Sequence, residues 1–169
     1  MSHQTTTLCN IVHGALAIGF TIGLGNVAAQ TVPKEGNYDY VSCYSGTVNI
    51  ILFSKTHSAS TYELIGNSRT SPPGGPFDMV TFRCLGMGSS LDSQTTSSNY
   101  CEAIDKDGDK LMVRNVNQGQ KGTQEGLAGT GKYEGIVRSG TNEFLGVFPV
   151  IKPGTFSGCN RQIGAYKMK

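Results

Sequence analysis

Charged side chains are missing from the first 33 of the 169 residues, and all 14 basic and 12 acidic side chains follow, beginning with Lys34. Within this neutral leader, Ile11–Gly25 is apolar and about as long as a signal-peptide core, and Val27–Ala29 supplies the small residues that a signal peptidase reads. The run is too rich in glycine for a spanning helix of about 20 apolar residues. We predict a cleavable signal peptide over residues 1–29, export to the periplasm or the medium, and no stable membrane anchor.

Tryptophan is absent and histidine is scarce, at three residues, whereas glycine is abundant, at 23. The net charge is only +2 with both signs interspersed, so the sequence has neither the basic stripe of a nucleic-acid-binding protein nor an acidic tail. The roughly 140 residues after the leader suffice for one domain with its own core and are too few for two. We expect a single domain over residues 30–169 and no nucleic-acid partner.

Helical periodicity is also missing, because no window after residue 30 keeps apolar residues three and four positions apart over three turns. Short alternating or β-branched runs predict strands instead, separated by Gly, Pro, Asn and Ser. The predicted strands are Tyr38–Tyr44, Thr47–Ser54, Ser60–Ile65, Met79–Leu85, Asn99–Ile104, Lys110–Val116, Ile136–Thr141, Thr155–Cys159 and Ile163–Met168. This punctuation predicts an all-β fold, a closed antiparallel barrel of about eight strands, with a sandwich as the alternative.

Two segments between the strands predict connections. Asn67–Phe77 is a predicted loop, because its adjacent prolines and glycines exclude both a sheet ladder and a helix. Asp105–Asp109 (DKDGD) supplies Asp-Gly for a tight hairpin. Its three carboxylates differ from an EF-hand loop, since glycine stands fourth and Val116 occupies the place of the bidentate Glu. We favour a solvated hairpin tip and leave weak calcium binding open.

Cysteine spacing argues against a metal site, because no C-x-x-C pair exists and His57 is the only histidine after the leader. Cleavage leaves four cysteines, an even number that indicates two disulfides in an exported domain. Cys84 and Cys101 lie at nearly equal distances from the turn between two consecutive strands, so we predict that they pair. The bridge Cys43–Cys159 would then clasp the seam where the ends of the barrel meet.

Gly126–Tyr133 (GLAGTGKY) differs by one residue from the phosphate-binding loop G-x-x-x-x-G-K-[ST]. Tyr133 stands where a Ser or Thr hydroxyl should hold magnesium, and neither an apolar strand nor an amphipathic helix is predicted beside it. We interpret the glycines as structural and expect no nucleotide and no other cofactor.

Hydrolytic chemistry has little support in the sequence. There is no G-x-S-x-G motif, and with all four remaining cysteines in bridges no thiol nucleophile is left. A Ser-His-Asp set would have to use His57, which lies in a polar stretch and is predicted to be an exposed loop residue.

Strand residues of mixed polarity are the candidates for a site inside the barrel: Tyr44, Glu63 and Arg83. Because alternate residues of a strand point the same way, Glu63 should share a sheltered face with Ile65. A carboxylate kept there needs a partner, which Arg83 would supply. The alternative is that these side chains face solvent, where Arg83 could also pair with Glu102.

The segment Gly129–Ile136 (GTGKYEGI), followed by Ser139-Gly140, resembles the late segment of allene-oxide-cyclase-like and dirigent-like barrel proteins. Three further stretches are similar to small exported bacterial proteins of unknown function with that barrel: Pro72–Phe77, Asp105–Asp109 and Gly154–Lys169. The resemblance covers residues 36–169 and implies an eight-stranded antiparallel barrel with an apolar cavity. In the plant members such a cavity folds a reactive fatty-acid epoxide or steers radical coupling, largely by shape. No catalytic residue is carried over.

Three classes of function fit such a barrel. Tyrosines and aliphatic residues are plentiful on the predicted strands and polar triads are missing, so binding of a small hydrophobic ligand is favoured. An isomerase or cyclase acting by cavity shape comes second and rests on the resemblance alone. A non-catalytic structural or interaction role comes third.

We expect the exported chain to begin at Gln30, because the small residues before it complete the cleavage pattern. N-terminal sequencing or intact mass of protein from the extracytoplasmic fraction tests this expectation. A chain that still carries Met1 in that fraction contradicts it.

Overall fold

The computed structural model describes residues 33–169, and the predicted signal peptide lies outside them. Eight antiparallel strands close into a barrel in which β8 returns to pair with β1. They are β1 (Glu35–Leu52), β2 (His57–Thr70), β3 (Thr81–Leu91), β4 (Gln94–Ile104), β5 (Lys110–Gln118), β6 (Lys121–Gly129), β7 (Val137–Val147) and β8 (Thr155–Lys167). The predicted all-β closed barrel is confirmed. No helix in this part of the chain has the length and apolar character to cross a membrane.

The strand map from the sequence differs from the observed one in two ways. The prediction divides β1 and β8 into two pieces each, whereas both run unbroken because they pair with each other from Glu35–Lys167 to Thr47–Thr155. The prediction also omits β6. The inward positions of β6 include Gly122, Gln124 and Gly126, so the strand lacks the apolar alternation that marks its neighbours.

The alternation of side chains along β1 defines the interior. Tyr38, Tyr40 and Ser42 are buried and Tyr44 is half-buried, whereas Asp39 faces outward. The predicted shared face of these tyrosines is therefore the inner wall of the barrel.

Both predicted disulfides are present and join residues that are direct partners in the sheet. Cys43 faces Cys159 across the seam between β1 and β8. Cys84 faces Cys101 across β3 and β4, with both sulfurs on the buried inner wall. One bridge thus closes the ends of the barrel, and the other forms part of its interior.

The loop between β2 and β3 closes one end of the barrel. Its residue Phe77 is buried and adopts a left-handed backbone conformation, with φ of 65°. The Ser68 hydroxyl donates to the Phe77 carbonyl at 2.6 Å, and the Asp78 carboxylate accepts the backbone N–H groups of Thr70 and Gly74 at 2.9 and 2.7 Å. The loop begins four residues later than the predicted loop Asn67–Phe77, because β2 continues to Thr70.

The inserted ring of Phe77 holds four tyrosines together. Its centroid lies 5.3 to 6.1 Å from the rings of Tyr38, Tyr40, Tyr133 and Tyr166, in tilted, edge-on and stacked arrangements. We call this group the aromatic plug. At the opposite end the barrel is open, and the side chains of β1 that alternate toward the interior are exposed there.

Removing the Cys43–Cys159 bridge should destabilise the fold more than removing Cys84–Cys101. The two bridges join residues 116 and 17 positions apart, so chain entropy predicts losses of about 5 and about 3 kcal/mol. Urea unfolding of the two double Cys→Ala variants compares them. Equal losses, or the reverse order, would show that loop length does not control the stabilisation.

Candidate functional site

The barrel encloses a cavity of about 240 Å³ between the aromatic plug and the open end. Part of its wall is apolar, formed by residues such as Leu64, Phe82 and Phe156. The rest carries seven carboxamide side chains: Asn99, Asn115, Asn117, Asn142, Asn160, Gln124 and Gln162. The interior is therefore more polar than the resemblance implied.

The carboxamides form a partly satisfied hydrogen-bonding band. Asn115 donates to Asn99 at 2.8 Å, and Asn99 donates to the Tyr62 hydroxyl at 3.1 Å. Several buried polar atoms have no hydrogen-bond partner among residues 33–169, including Asn115 Oδ1, Gln124 Nε2 and Gln162 Oε1. Buried polar groups are nearly always hydrogen-bonded in folded proteins, so these unpaired atoms are exceptions that cost stability.

Arg138 on β7 is the buried cation of this cavity, at 4% exposure. Its guanidinium carbon lies 4.5 Å from the ring centroids of both Tyr38 and Phe77. The guanidinium donates to the Tyr40 hydroxyl and, at 2.8 Å, to Gln124 Oε1, while its Nε atom has no partner. Arg83, Arg114 and Arg161 pair with carboxylates, but no Asp or Glu oxygen of the described chain lies within 4.0 Å of Arg138.

Arg138 is not among the site residues predicted from the sequence. The signal that could have found it is the alternation of β7, in which Arg138, Gly140 and Asn142 share the inward face. The same face admits the Tyr38 ring, because Gly140 and Gly164 have no Cβ and any Cβ there would lie 2.3 Å from the Tyr38 hydroxyl.

An ion-pair cluster lies at the closed end of the cavity. The Lys132 ammonium is 2.6 Å from Asp105, 2.5 Å from Asp107 and 3.9 Å from Asp109. Burial alone would raise the pKa of Asp105, but the nearby Lys132 ammonium and the backbone N–H of Asp107 hold it below its usual value. Lys132 thus neutralises the predicted hairpin tip, where Asp105 accepts from the backbone N–H groups of Asp107 and Asp109.

These contacts bear on the calcium and nucleotide alternatives. Within residues 33–169, no group of three His, Cys, Asp or Glu side chains is arranged to hold a metal ion. The ammonium of Lys132 already occupies the space between the carboxylates, so the same lysine is not free to reach a phosphate. Lys132 itself lies in a single 3₁₀ turn, Gly131–Tyr133, which follows a polar strand.

Two phenols of the cavity have raised pKa values. Burial, and next the carboxylates of Asp105 and Asp109, raise the pKa of Tyr133. Burial, and next the neighbouring Tyr62, raise the pKa of Tyr44 to about 12. Tyr44 lines the cavity, and its role in ligand binding stays a prediction. Both phenols stay protonated at neutral pH and act there as hydrogen-bond donors.

Glu63 and Arg83 do not enter the cavity. Their side chains are about half exposed on the outer surface, where Arg83 Nε donates to Glu63 Oε1 at 2.6 Å. The predicted pairing is observed, but the predicted sheltered face is wrong, since Ile65 is 54% exposed. The inward residues of β2 are Tyr62 and Leu64, one position out of step with the expectation.

Glu102 does not form an ion pair with Arg83, although the two are direct partners in the sheet. Lys110 takes this role, with its ammonium 2.6 Å from the Glu102 carboxylate. These groups belong to the solvated outer surface, where ion pairs contribute little stability.

His57 lies at the open end, where it begins β2 directly after the turn from β1. Its Nδ1 atom is 3.0 Å from both Ser54 Oγ and Thr56 Oγ1, and its Nε2 atom is 3.6 Å from Asp92. Ser54 Oγ accepts the backbone N–H groups of Thr56 and His57, so its lone pairs are engaged in the turn. The arrangement stabilises a hairpin and does not form an activated nucleophile.

No protein-family model matches the sequence, and no curated protein matches it significantly. Two solved structures are similar to this barrel, both of pterocarpan synthase dirigent proteins, GePTS1 and PsPTS1, each at 12% identity and a TM-score of 0.51. The likeness covers 80% of this chain and 93% of GePTS1, and 82% of this chain and 99% of PsPTS1. It is a likeness of fold, and it supports the dirigent-like barrel that the sequence resembled.

Lys132→Met should lower the free energy of unfolding by about 3 kcal/mol at pH 7, because it leaves the buried Asp105 carboxylate without a cation. The ion pair stabilises the fold above the unfolded pKa of 3.8, and its contribution is lost as the pH falls through the lowered folded pKa. The difference from the unmodified protein should therefore shrink below about pH 4. Urea unfolding at pH 7 and pH 3 measures it.

Lys110→Met is the matched control, since its carboxylate partner is exposed and its loss should change stability little. An equal loss for Lys132→Met at both pH values would contradict the electrostatic explanation.

Proposed function

We propose that this protein binds a small organic molecule inside the barrel, with an acidic group held at Arg138 and an aromatic or aliphatic body against the cavity wall. The observation that carries the proposal is a buried guanidinium with no carboxylate partner in the described part of the chain. The ligand predicted from the sequence is purely hydrophobic, whereas the proposed ligand is amphipathic.

The energetics of Arg138 support an anionic ligand. A buried charge is costly unless it is paired and hydrogen-bonded, and here the partners are two aromatic faces, one phenol and one carboxamide. Cation–π contacts offset part of that cost. The planar guanidinium is suited to a carboxylate or a phosphate, which arginine binds through two parallel hydrogen bonds.

The rest of the cavity suits the body of such a ligand. Aromatic rings and aliphatic side chains provide contact area, and the carboxamides of the wall provide hydrogen-bond donors and acceptors. Ligand sites commonly combine apolar walls with a few convergent polar groups. An eight-stranded barrel has room for one small ligand.

Export is part of the same proposal. Two disulfides form and persist in oxidising compartments, which agrees with the charge-free leader. We infer that the protein acts outside the cytoplasm.

Catalysis of a cyclisation or isomerisation is the second candidate. The similar solved structures are named as pterocarpan synthases, and this cavity places a phenol donor, Tyr133, and an ionised carboxylate, Asp105, at its closed end near Arg138. These groups could position a reactive ligand whose product is determined by the shape of the wall. A ligand recovered unchanged after prolonged incubation would favour binding alone.

Arg138→Met should weaken binding of 2-naphthoate by about tenfold or more, because the variant keeps an unbranched apolar stem and removes the charged hydrogen bonds. Binding of 2-naphthalenemethanol, which has the same ring without the charge, should change less than about threefold. Naphthyl fluorescence titrations measure both affinities. Urea unfolding should show no loss of stability, because removing a buried cation without a carboxylate partner relieves a desolvation cost.

Arg114→Met is the matched control, since Arg114 pairs with Glu125 on the outer surface and lies outside the cavity. Unchanged 2-naphthoate binding by a folded Arg138→Met variant would refute an anion site at Arg138. Equal losses for both probes would show that the substitution damaged the cavity as a whole.

A further inference from the structure

Two exposed apolar segments lie at the open end of the barrel. Ile50–Phe53 forms the end of β1 and the turn after it, and Val147–Ile151 leads from β7 into the loop before β8. The backbone N–H of Val48, just before the first segment, donates to the carbonyl of Gly154, just after the second, at 3.0 Å. We call them the apolar tips.

The apolar tips project into solvent. Phe53 is 86% exposed, Ile151 is fully exposed, and Ile51 and Leu52 are each nearly three-quarters exposed. Single exposed apolar residues are common on protein surfaces, but two runs of consecutive exposed apolar residues at one end of a barrel indicate an interaction site. The side chains belong to a strand end and a loop.

Positive charge accompanies both tips. The sequence reads ILFSK in the first tip and FPVIK in the second, so Lys55 and Lys152 each follow an apolar run. Both lysines are exposed, and neither has a carboxylate partner within 4.0 Å in the described chain. No Asp or Glu occurs at residues 44–62 or 144–169. The acidic residue in the adjoining turn is Asp92, whose carboxylate faces His57.

We propose that the open end of the barrel docks on an anionic lipid membrane, with the apolar tips inserted at the boundary between headgroups and acyl chains. Apolar side chains bordered by lysines are suited to that boundary, where the rings and aliphatic groups leave water and the ammonium groups reach lipid phosphates. A fluid lipid surface accommodates projecting side chains of any shape. A stable protein interface instead requires a partner whose surface is complementary in shape. The proposal goes beyond the cavity ligand and does not depend on it.

The absence of tryptophan makes a site-specific test straightforward. Phe53→Trp and Ile151→Trp place a single reporter in each tip, and Val137→Trp places a matched, exposed reporter at the closed end. With vesicles of phosphatidylglycerol and phosphatidylcholine, the tip reporters should shift their emission to the blue and be quenched by brominated acyl chains. The Val137→Trp reporter should not change.

The full chain is used, because the reporters also separate docking through the tips from docking through residues 1–32. Those residues join the barrel at the end where Glu35 and Val137 both pair with Lys167. Binding through the leader would bring the Val137→Trp reporter to the lipid and leave the tip reporters in water. That outcome, or no shift at any position, would overturn the proposal.

Charge and self-association are tested separately. Lys55→Gln and Lys152→Gln should each weaken sedimentation with anionic vesicles about fivefold, whereas Lys34→Gln at the closed end should not. Phe53→Ser with Ile151→Ser should abolish vesicle binding and leave 2-naphthoate binding unchanged, so the two proposals fail independently. If the tips instead mediate contact between copies of the chain, ultracentrifugation without lipid will show a dimer that the double variant loses, and the membrane proposal is then wrong.

Discussion

The pairing of β1 with β8 is the constraint on which the rest of the structure depends. Thirteen residue pairs join the first strand to the last, and Cys43–Cys159 fixes their register covalently. Closure removes every sheet edge and divides all eight strands into an inner and an outer face. A shift of one residue at this seam would exchange the two faces of β1 and expose the tyrosines that form the inner wall.

The interior created by this closure is not a conventional apolar core. Aromatic rings fill one end, and further along the wall carboxamides replace the aliphatic side chains that would pack a barrel of this size. Arg138 lies where the two regions meet, in contact with rings and with Gln124. Retaining a buried cation and unpaired amides costs stability, and such a cost is characteristic of sites selected for binding.

Predictability from the sequence followed the strength of the alternation. The tyrosines of β1 and the spacing of the cysteines predicted the closed barrel and both bridges, because period two and even pairing are strong local signals. β6 was missed because glycine and glutamine occupy its inward positions. Glu63 was assigned to the wrong face because Ile65, an exposed aliphatic residue, suggested shelter that Leu64 in fact receives. Arg138 required knowledge of the parity of β7, which a short predicted strand did not supply.

The aromatic plug makes the barrel a cup with one mouth. Phe77 is held by hydrogen bonds to its own loop and by four tyrosine rings, so the closed end offers no second path. A molecule bound in the proposed site and the one that replaces it must therefore use the same opening, one to leave and the other to enter. Exchange is then strictly sequential, and its rate is limited by departure of the first molecule, however concentrated the second one is.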